Sequence, residues 1–548
     1  MTGTAGRHTM RSHEKGARPA RGLRPRRCIA LALALAACAG APDPLPEPGA
    51  GVGLALDPGA VRPIVLAIEP VPLRPAARLD RVARMLAPLG APGAKSRCAD
   101  AVWSEMQPSP GAAIDFQRLD AFVAAFSEAG FPSLAICLAT TGRASPPAAG
   151  AHPGEPSPAP GPEDLDAFAR FVAAVVERYD ADGVGDMPDL RNPVRLYQIG
   201  SFFSGGAPDF ADAYVNALER AHRAAHAADS EVVVAHAAFP SSGALLESAN
   251  PGEASALDAR EARVSERSRA DLRRVLDRSD AFDALAVNGL GDAVEIEAAL
   301  EWLHHETEAR GVFKPVIVTE VAPTPLVAWG PATRCAGPPY EIGLVSYPAR
   351  EEDRCRLAEW FQKLVAGQDE ALAWARARAA LDLVKKLIVA ADRGVWWLSV
   401  APIEDAAWWT QPPFEAAAGL SPWGGLIDAR RSEYRPVFYA LRQLLQALGG
   451  RDQIRRIFVG PSDVRLYLFD GPAGPGWIGW YDPVRVHLPG DATLKRVVSL
   501  ETGAVRVHLE PIITRPEQTE PAARVIGTQD GAVRLELTST PLLVLPLR

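Results

Sequence analysis

A chain of 548 residues that is 48% hydrophobic and 23% charged has the composition of a soluble globular protein, which excludes collagen-like, disordered and polytopic membrane classes. The length implies two to four units of about 100 to 200 residues, or fewer if one of them is a barrel of about 250. The formal charge of −8 is unevenly spread: residues 1–37 hold eight Lys/Arg and one Glu, so the remainder carries 50 basic against 65 acidic residues, or −15, and no nucleic-acid partner is expected.

The chain opens on a basic stretch ending Arg24-Pro25-Arg26-Arg27, followed by the apolar run Ile29 to Ala37. That run is too short to span a bilayer but fits the core of a secretory signal, which is excluded from the fold. Leu35-Ala36-Ala37-Cys38 resembles the bacterial lipobox, and the resemblance implies that Cys38 is lipidated and becomes the first residue of the mature protein. The alternative is a plain signal peptide cleaved at a small-residue site. Ala39 after the cysteine implies, by the same resemblance, an outer-membrane location in the cell envelope. Residues 38–58 are rich in Pro, Gly and Ala and lack periodicity, so they read as a tether. Membrane contact is expected only through the lipid.

From residue 59 to about 450, short apolar runs alternate with segments of helical period, the pattern of parallel βα units. The runs are Ile64 to Ile68, Ala94 to Val102, Ser133 to Ala139, Val194 to Gly200, Glu231 to His236, Ala284 to Asn288, Pro315 to Glu320 and Gly394 to Val400. Leu79, Val82, Leu86 and Leu89 mark one intervening helix, and Leu165, Phe168, Val172, Val175 and Val176 another. Eight such pairs predict a (β/α)8 TIM barrel. No glycine-rich fingerprint follows the first strand, which argues against an open doubly wound sheet. A last helix over about 435–448 is followed, over 451–548, by short alternating strands broken by Gly and Pro, read as a small all-β sandwich.

Four cysteines remain after the leader. Cys335 and Cys355 flank a Pro-rich excursion and are expected to form a disulfide, while Cys98 and Cys137 are equally compatible with a bridge or with buried thiols. No Cys/His spacing matches a zinc site, and Asp180-Ala181-Asp182-Gly183-Val184-Gly185-Asp186 lacks the glutamate that would complete a calcium loop, position 191 being Arg. Neither a metal nor a cofactor is expected.

Barrel enzymes carry their chemistry at the C-terminal ends of strands, and the seventh predicted strand ends in Val318-Thr319-Glu320. Together with Trp103 to Gly111, Phe282 to Asn288, Trp302-Leu303 and Gly394 to Trp397, this segment resembles the clan A retaining glycoside hydrolases, in particular the xylosidase-like members that append a β-sandwich. The resemblance covers most of the mature chain. It implies Glu320 as nucleophile, Trp103, Asn288, Trp396 and Trp397 as substrate-binding residues, and a carbohydrate, either oligo- or polysaccharide, as ligand. It fails at strand four, where the family's acid/base Asn-Glu is replaced by Ser201-Phe202. Phenylalanine cannot donate a proton, and loss of a general acid costs about 10²- to 10⁴-fold in rate. Three readings follow: a carbohydrate-binding protein with degenerate catalysis, a retaining glycosidase that uses Glu320 with another acid (Glu404 or Asp405) or with none, and a surface scaffold for a protein partner.

Overall fold

The computed structural model describes residues 64–69, 76–139, 159–201, 203, 210–240, 269–324, 335, 351–401, 403–405, 423–457, 463–482 and 487–547. The signal and tether expected over 1–58, with Cys38, lie outside these residues, as does Phe202.

Eight parallel strands form one sheet: β1 (Val65–Ile68), β2 (Gly93–Lys95), β3 (Ser133–Leu138), β4 (Leu196–Ile199), β5 (Val233–Ala235), β6 (Leu285–Gly289), β7 (Val316–Val321) and β8 (Val395–Val400). Their order is β5-β4-β3-β2-β1-β8-β7-β6, and parallel bridges Ala235↔Ala284 and Phe239↔Val287 close β5 onto β6. A closed parallel sheet is buried on both sides, which is why these strands read as continuous apolar runs. The outward residues Leu66, Ile68, Ile136, Ile199, Val316 and Val318 pack on the surrounding helices, including Ala76–Leu86, Leu165–Arg178 and Phe210–Ala228.

The inside of the barrel is lined by small residues, Ala67, Ala135, Ala235, Ala284 and Ala286, around the indole of Trp397. One large ring therefore fills the space that several branched side chains occupy in other barrels. Gly93 belongs to the same arrangement: a Cβ there would lie 3.0 Å from Trp397 Cη2 and 2.9 Å from Ala67 Cβ.

The short antiparallel pair β9 (Ile427–Asp428) and β10 (Glu433–Tyr434) leads into the helix Pro436–Leu448, after which a six-stranded antiparallel sheet runs in the order β11-β12-β13-β18-β15-β16: β11 (Gln453–Arg456), β12 (Val464–Asp470), β13 (Gly476–Tyr481), β15 (Arg506–Pro511), β16 (Arg524–Gly527) and β18 (Leu542–Pro546). Strands β14 (Arg496–Glu501) and β17 (Ala532–Leu537) form a second, two-stranded sheet. The period-2 pattern assigns the faces. Leu466, Trp477, Val507 and Val544 join Val498, Leu500, Val533 and Leu535 in the core between the two sheets, whereas Tyr467, Phe469, Ile478, Trp480 and Leu543 pack on the barrel's outer layer. Strands β11 and β16 fall in segments where exposed Arg breaks the apolar alternation, so no sequence pattern marks them.

Cys98 and Cys137 are joined by a disulfide with a Cα separation of 4.6 Å, which decides the open alternative. It links the segment after β2 to β3, inside a small cluster with Val102 and Ala139. Cys335 and Cys355 are also bridged.

Candidate active site

The strand ends bring together a small set of polar side chains. On β1, Val65 and Ala67 face the barrel interior, so Glu69, two residues further, emerges at the mouth on the same side. Lys95 closes β2 in the same register as Gly93, and Asn288 and Ser399 occupy corresponding levels on β6 and β8. Glu320 needs an irregularity to join them. Val318 pairs with Leu398 and Val321 with Val400, so Thr319 and Glu320 together oppose Ser399. On the other edge Val287 pairs with Val318 and Asn288 with Glu320. Val318 and Val321 both point outward into the helical layer. Strict alternation from Val318 would have sent Glu320 outward as well, and the inserted residue turns it to the mouth, a common use of a β-bulge beside a functional site.

The electrostatics of this mouth are largely internal. Lys95 is almost fully buried and its Nζ lies 2.7 Å from Glu69 Oε2. Thr319 Oγ1 donates to Asn288 Oδ1 at 2.7 Å, Trp397 Nε1 donates to Ser399 Oγ at 2.8 Å, and Gln198 Nε2 donates to the carbonyls of Gly200 and Ser201 at 2.9 and 2.6 Å. Glu320 has no hydrogen-bond partner among the described residues. Burial pushes its carboxyl up and the Glu69 carboxylate pushes it further, against the opposing charges of Lys95 and Arg97, to about 7. The residue keeps some accessible surface, but its carboxyl titrates like an interior group.

The residues singled out from sequence separate into two sets. Glu320 and Asn288 meet at the mouth. Trp103 is corrected: it is 4% exposed, at the start of the short helix Trp103–Met106, packed edge-on to Phe168 with ring centroids 5.4 Å apart. Its large ring is consumed by the helical layer. Trp396 and Trp397 are corrected as well. They are the second and third residues of β8 (Val395–Val400), three or more residues from the mouth, and a second bulge, Val316↔Val395 followed by Ile317↔Trp397, inserts Trp396 there. Both rings consequently join the interior cluster instead of facing opposite ways. Ser201 is exposed, and its carbonyl accepts from Gln198 Nε2 and from the Ala238 N–H. Glu404 pairs with Arg78 and accepts from the Ala429 N–H, while Asp405 pairs with Arg376 at 2.6 Å and accepts from the Gly425 N–H. Both carboxylates are committed to structural partners. In the Asp180–Asp186 loop the carboxylates of Asp180, Asp182 and Asp186 accept from the loop's own N–H groups.

Glu69, Lys95 and Arg97 are the site residues that the sequence pattern did not single out. Glu69 carried the same signal as Glu320, an acidic residue directly after a buried apolar strand.

No family model matches the chain, and no curated protein matches it. Solved structures do. A family 39 glycoside hydrolase from the gut symbiont Bacteroides cellulosilyticus WH2 aligns with a TM-score of 0.56 at 13% identity, covering 89% of this chain and 81% of that one. The fold is glycoside-hydrolase-like. A 4-O-α-L-rhamnosyl-β-D-glucuronidase from Fusarium oxysporum 12S aligns with a TM-score of 0.51 at 11% identity, over 88% of this chain and 97% of that one. A monomeric β-xylosidase from Caulobacter crescentus CB15 covers 89% of this chain and 98% of its own, with a TM-score of 0.48 at 14% identity. At 89% of this chain, the alignment to the family 39 enzyme is longer than the barrel alone.

Proposed function

We propose that this protein is a glycoside-hydrolase-like lipoprotein of the bacterial cell envelope, anchored through Cys38, that binds carbohydrate at the barrel mouth with weak or absent hydrolysis. The observation that carries the reading is the replacement of the acid/base pair at strand four by Ser201-Phe202. Retaining hydrolysis needs one ionised carboxylate to attack and a second, neutral carboxyl about 5 to 5.5 Å away to protonate the leaving oxygen. Glu320 is pushed up to about 7, so about half of it is protonated at neutral pH, which reduces its capacity to attack about two-fold without removing it. At strand four the sequence supplies Ser201-Phe202, neither of which is a carboxylic acid. Among the described residues of the mouth, Lys95 is paired with Glu69. The likeness to solved glycoside hydrolases supports sugar as the ligand class, and the concave mouth is where such barrels bind.

A second reading is favoured by one specific observation: Glu69 and Glu320 emerge at the mouth on either side of β8, within range for the Glu69 charge to raise the Glu320 carboxyl. Two carboxyl groups whose surroundings differ, one facing an ammonium and one raised by burial, are the arrangement that divides base from acid. In that case Glu320 would be the proton donor rather than the nucleophile.

The test uses the purified protein and its Glu320→Gln variant against a panel of dinitrophenyl glycosides, whose leaving group needs no protonation, alongside a glycan-binding assay. The binding reading expects glycan retention and no turnover above the Gln variant. Turnover abolished by Glu320→Gln would overturn it and make Glu320 the nucleophile. Turnover lost in Glu69→Gln but kept in Glu320→Gln on these activated substrates would select the second reading.

A further inference from the structure

A second cluster of functional side chains lies at the opposite end of the barrel. His222 and His226 stand one turn apart on the helix Phe210–Ala228, so both project from one face. Asp283 directly precedes the bridge residue Ala284 at the entry of β6. Nε2 of His222 lies 3.0 Å from Asp283 Oδ1, and Nε2 of His226 lies 2.8 Å from Asp283 Oδ2. The two imidazoles, with centroids 4.5 Å apart, thus aim the same ring nitrogen at one carboxylate. All three side chains are partly exposed, leaving a path from solvent.

We propose that His222, His226 and Asp283 bind a divalent transition-metal ion, with zinc the best match. The ligand atoms already lie within 4.8 Å of one another. Zinc bonds of about 2.0 to 2.2 Å place two tetrahedral ligand atoms about 3.3 Å apart; the two N···O contacts, made to different oxygens of Asp283, and a ligand spread within 4.8 Å reach that spacing by shifts of no more than about 1.5 Å. Two imidazoles and one carboxylate suit zinc, copper or nickel, whereas calcium and magnesium demand mostly oxygen. The carboxylate is itself held in place: the Val234 N–H donates to Asp283 Oδ2 at 2.9 Å, the kind of outer support that metal ligands receive. The nearby Lys314 ammonium is directed to the Phe282 carbonyl at 2.6 Å. Three protein ligands leave a fourth position for water.

Binding requires a free lone pair on each Nε2. A neutral imidazole that now donates through Nε2 must move its proton to Nδ1, and an imidazolium must release one to solvent. The ion would then replace two hydrogen bonds by three coordinate bonds between helix and sheet. This end of the barrel is remote from the Glu320 mouth, and conserving the fold is its usual task, so the ion acts as a clamp and not in hydrolysis.

The test takes the full chain stripped with a chelator and titrates it with Zn²⁺ by calorimetry and with Co²⁺ by visible spectroscopy. One ion per chain, a tetrahedral Co²⁺ spectrum and a raised Tm with Zn²⁺ are expected. His222→Gln and His226→Gln keep a donor toward Asp283 and should each weaken affinity at least ~10-fold while leaving the Tm of the metal-free chain near that of the wild type. Unchanged affinity in the double variant overturns the proposal. Should the variants fail to fold, zinc-edge absorption on the wild-type chain decides: fewer than two imidazole ligands, or no bound zinc, overturns it.

Discussion

At the scale of single residues, Glu320 is the group whose environment departs furthest from what a carboxylate prefers among the mouth residues. Its folded value of about 7 lies above the ordinary 4.5, so between these two pH values the native chain retains a proton that the unfolded chain releases. Stability therefore falls as pH rises through that window, and above it the whole cost of charging Glu320 is present. Glu320→Gln removes this cost. The variant is expected to match the wild type in urea denaturation at about pH 4 and to exceed it at about pH 8 by on the order of 2 to 3 kcal/mol. Equal stability at both pH values would show that Glu320 is not held in a dry, anionic pocket. The same residue illustrates what a strand pattern conveys. That an acidic residue ends an apolar strand is readable from sequence, but whether it faces the mouth depended on the bulge at Thr319.

Among elements, the barrel interior shows how one side chain sets the composition of its neighbours. Trp397 occupies the axis, and alanines on β1, β3, β5 and β6 make room for it. Gly93→Ala is expected to destabilise the chain by about 1 to 3 kcal/mol, because the added methyl would meet Ala67 Cβ, Val65 Cγ1 and Trp397 Cη2 at 2.9 to 3.0 Å. In a Trp397→Phe background the Cη2 contact is gone while the Ala67 contact remains, so the penalty should shrink by about 0.5 to 1 kcal/mol in a double-mutant cycle followed by urea melts. A full, unchanged penalty would place the strain elsewhere. These positions also explain why the two tryptophans were misread. Strand β8 reads as alternating from sequence, and its extra residue is visible only against β7.

For the molecule as a whole, the barrel and the β-domain are joined by charge as well as by apolar packing. Glu297, on the barrel helix Ala293–Glu308, is 7% exposed. It accepts from Arg393 at 2.6 Å and from Arg465, on β12, at 2.5 Å. Burial alone would raise its pKa, yet Arg465 and Arg393 hold it below the usual carboxylate value. Lys385 of the helix Asp369–Asp392 pairs with Asp482 across the same boundary, and Gln443 Nε2 donates to the Pro511 carbonyl. Glu297→Ala removes the carboxylate facing Arg465 and one of those facing Arg393, which keeps Glu301 at 2.7 Å, and should cost about 3 kcal/mol. Calorimetry is expected to show one transition for the wild type and two for the variant, with the β-domain melting first. Adding Arg465→Met should restore part of the loss, since an apolar replacement removes the unpaired charge.

The sequence by itself determined the eight βα repeats, the appended strands, the candidate at Glu320 and the substitution at Ser201-Phe202, because these follow from local periodicity and from which residue types can perform acid/base chemistry. The tertiary structure decided what depends on register and on contacts between distant segments. The bulge on β7 aimed Glu320 inward, and the one at the start of β8 turned Trp396 and Trp397 onto the same interior cluster. Glu69 and Lys95 became neighbours only when β1 and β2 lay side by side. His222 and His226 show their helical spacing in sequence, but Asp283, 57 residues beyond His226, reaches them only because β6 closes the barrel beside β5. Hydrogen-bond register is a property of pairs of strands, so no single strand's pattern encodes it.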